Sequence, residues 1–228
     1  IAFGALANEH ERLQALTESQ KKSLNEMVDT LESRVQERTK DLRAAYMASI
    51  KAFSGLLELR RADLLAHSRR VATLSMKMAK LAGLNDHDCQ AIYIAGLLHD
   101  IGKIGLSDGI LNTKFFELPL PEGKAYRTHP LMGEAALNTL DDMKEVGAII
   151  RSHHEYFDGT GFPNKLAGHA IPIGARIVAI VEAYEELQSG DYAKDASSAA
   201  EAVRTIMNSR GTLFCPDMTD VFAKALQS

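Results

Sequence analysis

Two short segments of the sequence concentrate side chains that bind metals and transfer protons. Residues 153–163 read HHEYFDGTGFP, in which two adjacent histidines precede two acids and a run of turn-forming residues. Residues 95–103 read AGLLHDIGK, so that His99 and Asp100 emerge directly behind an apolar run. Burying such groups without a partner costs several kcal/mol, and a metal or an ion pair is the usual compensation.

The chain has eight histidines. Three of them are interpreted as ordinary surface or core residues: His10, His87 and His169. The other five are candidate ligands: His67, His99, His129, His153 and His154. One buried histidine–acid pair would also fit a structural capping arrangement, but two such clusters in one small domain favour a metal site.

Imidazole nitrogens and carboxylate oxygens together suit iron, manganese or zinc. Five histidines, Asp100 and a second acid could supply a binuclear centre, whose metals would lie about 3.5 to 4 Å apart and clamp a phosphoryl group. The spacing therefore indicates a phosphohydrolase and leaves its substrate open.

The residues that could do this chemistry must be positioned by helices. Apolar residues recur at helical spacing over residues 67–84, 89–103, 128–141, 143–157, 171–189, 197–209 and 216–227. No stretch alternates with the period of two that is typical of a strand. The sequence therefore predicts an all-α fold.

The N-terminal segment has a different pattern. Residues 6–58 contain no proline. Leu24, Val28, Leu31, Val35 and Leu42 follow alternating steps of four and three that are typical of a coiled coil, with Arg38 at the remaining seam position. Upstream the register requires two successive steps of four, a stutter that locally unwinds a coiled coil. The alternative is a long solvated helix that packs on its own domain.

The predicted organisation is a coiled-coil helix over 1–58 and a globular domain over 59–228.

A net charge of -4 without clustered Lys or Arg argues against a nucleic-acid binder. Cys89 and Cys215 lie far apart, which argues against a disulfide framework. Because no membrane span or signal peptide is recognisable, a cytoplasmic location is expected. The first residue is Ile1, so we expect a fragment whose upstream domain is missing.

Several motifs together resemble one known family. HSRRVA, LLHDIGKIGL, RTHP, HHEYFDGTGFP and IPIGARIVAIVEAYEEL occur in the order and approximate intervals of the HD-GYP domains, over about residues 60–225. The preceding LESRVQERTKDL resembles signalling coiled coils that link receiver or sensor domains to such enzymes. The resemblance implies a helical bundle that hydrolyses the bacterial second messenger cyclic di-GMP to pGpG and sometimes onward to GMP.

The resemblance also implies roles for individual residues. Six match metal ligands of the family: His67, His99, Asp100, His129, His153 and His154. Asp100 would bridge two divalent ions, iron or manganese, and Lys103 would hold a phosphate oxygen. Asp63 lies four residues before His67 and would be either a ligand of a third metal or a surface carboxylate. The DGTGFP turn, with Asp158 and Phe162, would line the substrate cleft.

The sequence departs from the family pattern at several positions. Phe162 replaces the signature tyrosine and lacks its hydroxyl. Glu182 stands where an aspartate ligand is usual, and Glu185 stands where a second aspartate on the substrate side is usual. Asp191 replaces an arginine that would contact the substrate phosphates, a loss for which Lys194 would partly compensate.

These observations predict a cyclic di-GMP phosphodiesterase output domain that dimerises through its N-terminal helix. A related nucleotide remains a possible ligand. Possible partners are an upstream sensor or receiver domain and a diguanylate cyclase-type protein. The alternatives are a degenerate domain that binds nucleotide or protein without catalysis, an enzyme for a different phosphoester, and a purely structural helical domain.

Overall fold

The computed structural model of the chain describes residues 2–58, 67–190 and 196–227. Within these ranges the chain forms ten α-helices, and its β-type pairing is a single bridge between Arg210 and Phe214. The all-α prediction is therefore confirmed. The helices are α1 (Ala2–Glu58), α2 (His67–Leu81), α3 (Asp86–Leu98), α4 (Asp108–Leu111), α5 (Leu120–Tyr126), α6 (His129–Leu137), α7 (Lys144–Ser152), α8 (Ile173–Ser189), α9 (Ala199–Asn208) and α10 (Pro216–Gln227).

Short 3-10 segments at Ile101–Gly105, Phe115–Glu117, Asp141–Met143 and Gly168–Ala170 connect some of these helices. Three residues that the family resemblance singled out lie outside the described residues: Asp63, Asp191 and Lys194. None of the helices in the described ranges combines the length and the apolar character that crossing a bilayer requires.

The chain divides into two compact units, Ile1–Ser49 and Ile50–Ser228. The first unit is a single helical segment, in agreement with the long N-terminal helix that the sequence predicts. Its apolar residues at the predicted coiled-coil positions are exposed, from 43% at Val28 to 72% at Leu42. The coiled coil itself stays a prediction.

The second unit is built around two helical hairpins. Helix α2 packs along α3, and α6 packs along α7. A glycine permits close approach in each pair: a Cβ on Gly96 would lie 2.6 Å from the Ala72 Cα, and a Cβ on Gly133 would lie 2.8 Å from Ile150 Cγ2. In both hairpins the start of the first helix therefore lies beside the end of the second helix.

Helix α8 contacts both hairpins, because it packs against α2, α3 and α7. Four of its apolar residues are fully buried: Ile177, Val178, Ile180 and Val181. A Cβ on Gly174 would lie 2.6 Å from Ile149 Cδ1 of α7 and 2.9 Å from Ile92 Cγ1 of α3, so glycine lets α8 enter between the two hairpins. Burial of this apolar surface is the main source of the stability of the unit.

The largest departures from the predicted helix bounds are at the C-terminal ends of two helices. Residues 89–103 were expected to form one helix, but α3 ends at Leu98 and a 3-10 segment follows from Ile101. The helix predicted over 143–157 ends at Ser152. Both predictions were wrong in extent for the same reason: a histidine at the C-cap bonds to a backbone carbonyl of the last turn, which competes with continuation of the helix.

Candidate metal centre

The two hairpins bring four histidines to one place. His67 is the first residue of α2 and His99 directly follows α3, and their ring centroids are 5.4 Å apart. In the second hairpin His129 begins α6 and His153 directly follows α7, again with centroids 5.4 Å apart. The rings of His99 and His153 are 5.6 Å apart, so the two pairs meet. His154 lies beside His153, with centroids 4.1 Å apart.

Two carboxylates lie among these rings, Glu182 buried and Asp100 partly buried. Asp100 directs Oδ2 toward His99 Nε2 of the first hairpin, at 3.5 Å, and Oδ1 toward His129 Nε2 of the second hairpin, at 3.7 Å. Glu182, which α8 contributes, lies 3.7 Å from the Nε2 atoms of His99, His153 and His154. Each carboxylate therefore faces both hairpins.

The candidate ligands fall into overlapping groups. His67, His99 and Asp100 form one, and His129, His153 and His154 form another; a third combines Asp100 and His153 with Glu182. In each group one ligand atom per residue lies within 4.8 Å of the others. Asp100 faces both histidine groups, which is the arrangement that a bridging carboxylate requires.

Backbone carbonyls orient three of the imidazoles. Nδ1 of His99 lies 2.9 Å from the Gly96 carbonyl oxygen, and Nδ1 of His129 lies 2.8 Å from that of Tyr126. His153 makes the equivalent contact with Ile150. All three carbonyls lie in the last turn of a helix, where carbonyls lack an intrahelical partner. A proton held on Nδ1 leaves Nε2 of each ring as a free lone pair directed into the centre.

The centre contains buried polar atoms without a hydrogen-bond partner. Among the described residues they include His67 Nδ1, His99 Nε2, Asp100 Oδ1, His154 Nε2 and Glu182 Oε1. Buried polar atoms are normally paired, because an unpaired one costs about 1 to 3 kcal/mol. Five such atoms converging from both hairpins and α8 fit divalent metal ions, whose positive charge would satisfy all of them.

The ionisation of these groups also suits a cation. Burial, assisted by the His99 ring, lowers the pKa of His67 to about 3. Burial and the Lys103 ammonium lower the pKa of His129 to about 3. These imidazoles are therefore neutral at pH 7, which is the form that binds metals. Burial and the neighbouring acids Glu186 and Asp100 raise the pKa of Glu182 well above its ordinary value.

Lys103 provides a buried positive charge beside the centre. Its ammonium donates to Asp100 Oδ2 at 2.8 Å and lies 4.9 Å from the centroid of the Tyr126 ring. Burial opposes ionisation of Asp100, but Lys103 and His99 outweigh it and hold the pKa of that carboxyl well below its ordinary value. Asp100 is thus an anion that faces both groups of histidines.

Comparison with known proteins identifies the family. A family model described as the HD domain matches residues 51–218, which is most of the chain. The chain belongs to the HD domain family. This confirms the family assignment made from the motifs.

Two curated relatives show how far the HD domain resembles named enzymes. The cyclic di-GMP phosphodiesterase response regulator RpfG of Xanthomonas campestris is 30% identical over 207 residues, which are 90% of this chain and 54% of the relative. The 3'3'-cGAMP-specific phosphodiesterase 2 of Vibrio cholerae is 31% identical over 183 residues, 79% of this chain and 35% of the relative. The chain thus spans about half or less of these two relatives.

A solved structure shows the same fold. The cyclic GMP-AMP specific phosphodiesterase V-cGAP3 of V. cholerae superposes with a TM-score of 0.62 at 20% identity and covers 78% of this chain and 48% of that chain.

The DGTGFP turn of the HD domain packs against the metal centre. The ring of Phe162 stacks on His154, with centroids 4.8 Å apart and planes 22° apart. Asp158, which the sequence analysis placed at the substrate, is exposed and accepts hydrogen bonds from Thr160 N and Oγ1 at 2.9 and 2.6 Å. These bonds lower the pKa of the Asp158 carboxyl and fix the turn.

Glu185 forms an ion pair with Arg70 of α2. Its Oε2 accepts from Arg70 Nε at 2.5 Å, and the Glu185 side chain is 11% exposed. In the described part of the HD domain this carboxylate is thus engaged with α2, whereas the sequence analysis placed it at the substrate.

Sequence reasoning missed the role of Glu155, the acid within HHE. Glu155 is buried, and its two carboxylate oxygens accept from Asn164 N at 2.6 Å and Leu166 N at 3.1 Å. It therefore ties the segment after Phe162 to the end of α7. Its position directly after two candidate ligands was a signal that could have identified it.

Tyr126 and Arg127, which directly precede the RTHP histidine, were also missed. The Tyr126 carbonyl orients His129, and its ring lies between those of His129 and Phe115 at centroid separations of 5.1 and 5.0 Å. Arg127 lies over Phe115 and Phe162. The aromatic residues near 115–126 therefore form one side of the centre.

Proposed function

We propose that this HD domain is a metal-dependent phosphodiesterase that hydrolyses cyclic di-GMP to pGpG, as the output domain of a bacterial signalling protein. The observation that carries the proposal is the convergence of two histidine groups on a shared, partly buried carboxylate, Asp100. The names of the curated relatives, which are phosphodiesterases of cyclic dinucleotides, support the substrate class.

The residues present fit two divalent ions, for which we propose iron or manganese. His67, His99 and Asp100 would hold one ion, and His129, His153 and His154 the other, with Glu182 as a further ligand. When bound, such ions supply Lewis acidity toward phosphoryl oxygens and lower the pKa of a coordinated water.

Asp100, Lys103 and Tyr126 would each contribute to this reaction. Asp100 is held as an anion between the two ligand groups and fixes their separation. The buried Lys103 ammonium can turn from Asp100 to a non-bridging phosphate oxygen, where its charge would offset the negative charge that develops during attack. Tyr126 covers Lys103 on one side and excludes water from it, which strengthens this electrostatic effect.

The experiment combines metal analysis with initial rates of cyclic di-GMP hydrolysis on manganese-loaded protein. His99→Ala and Asp100→Asn each remove a proposed ligand, so bound metal should fall and hydrolysis should drop by more than roughly 100-fold. His10→Ala is the matched control, because this imidazole is exposed on α1 and belongs to none of the candidate metal-binding groups among the described residues. A ligand variant with full metal content and full activity would contradict the proposal.

A second candidate is a domain that binds a cyclic dinucleotide or a protein partner without turnover. It is favoured by Phe162, which has no hydroxyl to offer a substrate, and by Glu185, which is engaged with Arg70. A panel of cyclic di-GMP, cyclic GMP-AMP and mononucleotide esters separates the candidates. Hydrolysis of any diester supports the enzyme, and tight binding without product supports the second candidate. The Phe162→Tyr variant then tests whether the lost hydroxyl silenced the site.

We also propose that residues 1–58 form a parallel coiled coil that makes the chain a homodimer and couples it to an upstream sensor or receiver domain, with the catalytic domain over 59–228. The exposed apolar positions of α1, such as Leu31 and Leu42, support this proposal. Light scattering should give a dimer mass for the wild type and a monomer mass for Leu31→Asp. A dimer mass for this variant would exclude that face.

A further inference from the structure

A chain of stacked side chains leads from the metal centre to a single arginine. The ring of Phe162 stacks on His154, a candidate ligand. The guanidinium carbon of Arg127 lies 5.2 Å from the centroid of that same Phe162 ring and 5.5 Å from the centroid of Phe115. Arg127 is thus held by two aromatic faces, one of which touches the centre.

The hydrogen-bonding capacity of this arginine is unused. Arg127 is exposed, and no side-chain hydrogen bond or ion pair links its guanidinium to any other residue in ranges 67–190 and 196–227. The neighbouring cations differ: Lys103 donates to Asp100, Arg70 to Glu185, and Arg151 to Glu134. Among these cations of the described ranges, Arg127 is therefore the one whose guanidinium N–H groups can all donate to a ligand.

Such an arrangement suits an anion. Cation–π contacts within about 6 Å of a ring centroid restrict the guanidinium without occupying its N–H groups. A restricted fork loses less entropy when it binds a phosphate in bidentate geometry. The chain carries a net charge of -4, so a cation beside the centre would favour the binding of a ligand with two negative charges.

We propose that Arg127 binds the second phosphate of a cyclic dinucleotide, the phosphodiester that is not being cleaved. This inference rests on the proposed function for its substrate class. Arg127 and the candidate ligand His154 both contact the ring of Phe162, which places the cation one ring away from the proposed metal site. Arg127 is thereby a specificity-determining residue that favours diesters with two phosphates over those with one.

The test measures binding, so it does not depend on turnover. Manganese-loaded wild type and Arg127→Met are titrated by calorimetry with a slowly hydrolysed phosphorothioate analogue of cyclic di-GMP and with 3',5'-cyclic GMP, which has one phosphodiester. Methionine keeps an apolar stem against Phe115 and Phe162 and removes only the charge and the donors. Arg204→Met, on α9, is the control for loss of one positive charge.

Loss of a bidentate charge-assisted contact should weaken binding of the two-phosphate ligand by on the order of 10- to 100-fold and leave cyclic GMP unchanged. Arg127→Lys should recover part of the loss. The same penalty is expected for a phosphorothioate cyclic GMP-AMP, because the contact is to phosphate and not to base.

Four results would overturn the inference: no binding of cyclic dinucleotides by the wild type, equal loss for cyclic GMP, a penalty that depends on the base, or no loss in Arg127→Met. Failure of the proposed function looks different, because wild type would then bind the analogue but release no product from cyclic di-GMP. In that case the selective loss in Arg127→Met would still support the role of Arg127.

Discussion

The 3-10 segment Ile101–Gly105 packs closely against helix α6, and this packing gives a specific prediction about Gly102. This residue lies between Asp100 and Lys103 and packs against the first turn of α6. A Cβ on Gly102 would overlap the carbonyl oxygen of His129 and lie 2.7 Å from Gly133 N. Both neighbours are backbone atoms, so no flexible side chain can move aside.

The substitution Gly102→Ala should therefore separate the 3-10 segment from α6. Overpacking of this kind costs about 1 to 3 kcal/mol of unfolding free energy. The clash involves the backbone of His129, so the imidazole should move relative to Asp100, from which Nε2 is now 3.7 Å away. Disturbance of metal-site geometry by neighbouring groups typically costs 10- to 100-fold in affinity, and we expect a loss of about that size for manganese.

The assay is urea unfolding of the metal-free protein, followed by a manganese titration of the folded protein. Gly123→Ala is the matched control, because a Cβ there would meet nothing within 4 Å and the residue lies inside α5. The control should be neutral or more stable by up to about 1 kcal/mol, since alanine is the better helix former. If Gly102→Ala matches this control in both stability and manganese affinity, the packing argument is wrong.

Three further predictions concern the second unit. Glu155→Gln should cost about 2 to 4 kcal/mol in urea unfolding, because two backbone donors lose a buried carboxylate and one of them then faces an amide NH₂ group; an unchanged midpoint would refute it. Ser198→Ala should cost about 1 kcal/mol by removing the capping box of α9, whereas the neighbouring Ser197→Ala should cost less. The metal-free protein should lose stability as the pH falls from about 6.5 toward 3, because His67 and His129, with pKa values lowered to about 3, stay neutral in the fold while the unfolded chain takes up protons. The raised pKa of Glu182 acts in the opposite direction, but it is one group against several buried histidines; a stability that rises over this window would contradict the reasoning.

Much of the candidate centre could be inferred from one-dimensional patterns. The helical periodicity predicted the fold class, because an apolar stripe every three to four residues can be buried only on a helix. The candidate ligands could be named because histidines behind apolar runs, as in AGLLHD, are costly unless something compensates them. The motif HHEYFDGTGFP added the family, since its residue types and spacing are specific.

The sequence alone could not give the extent of the helices or the partners of the polar residues. Helix α3 ends at Leu98 because Nδ1 of His99 contacts the Gly96 carbonyl oxygen in the last turn of the helix. This contact depends on the orientation of the side chain. Glu185 pairs with Arg70, 115 residues earlier in the chain, and its role at the substrate stays a prediction. No local pattern reports such a pairing.

Features that depend on neighbours in the sequence could be predicted, whereas features that depend on contacts between distant segments could not. Local spacing determined that this chain makes helices and that His99 and His153 follow apolar runs, because both features depend on neighbours within about one turn. Tertiary packing decided that Gly96, Gly133 and Gly174 let two hairpins and α8 approach until their polar ends share one buried volume. It likewise decided that Arg127 stands over Phe115 and Phe162 with its donors open, since those rings come from separate segments that only the fold brings together.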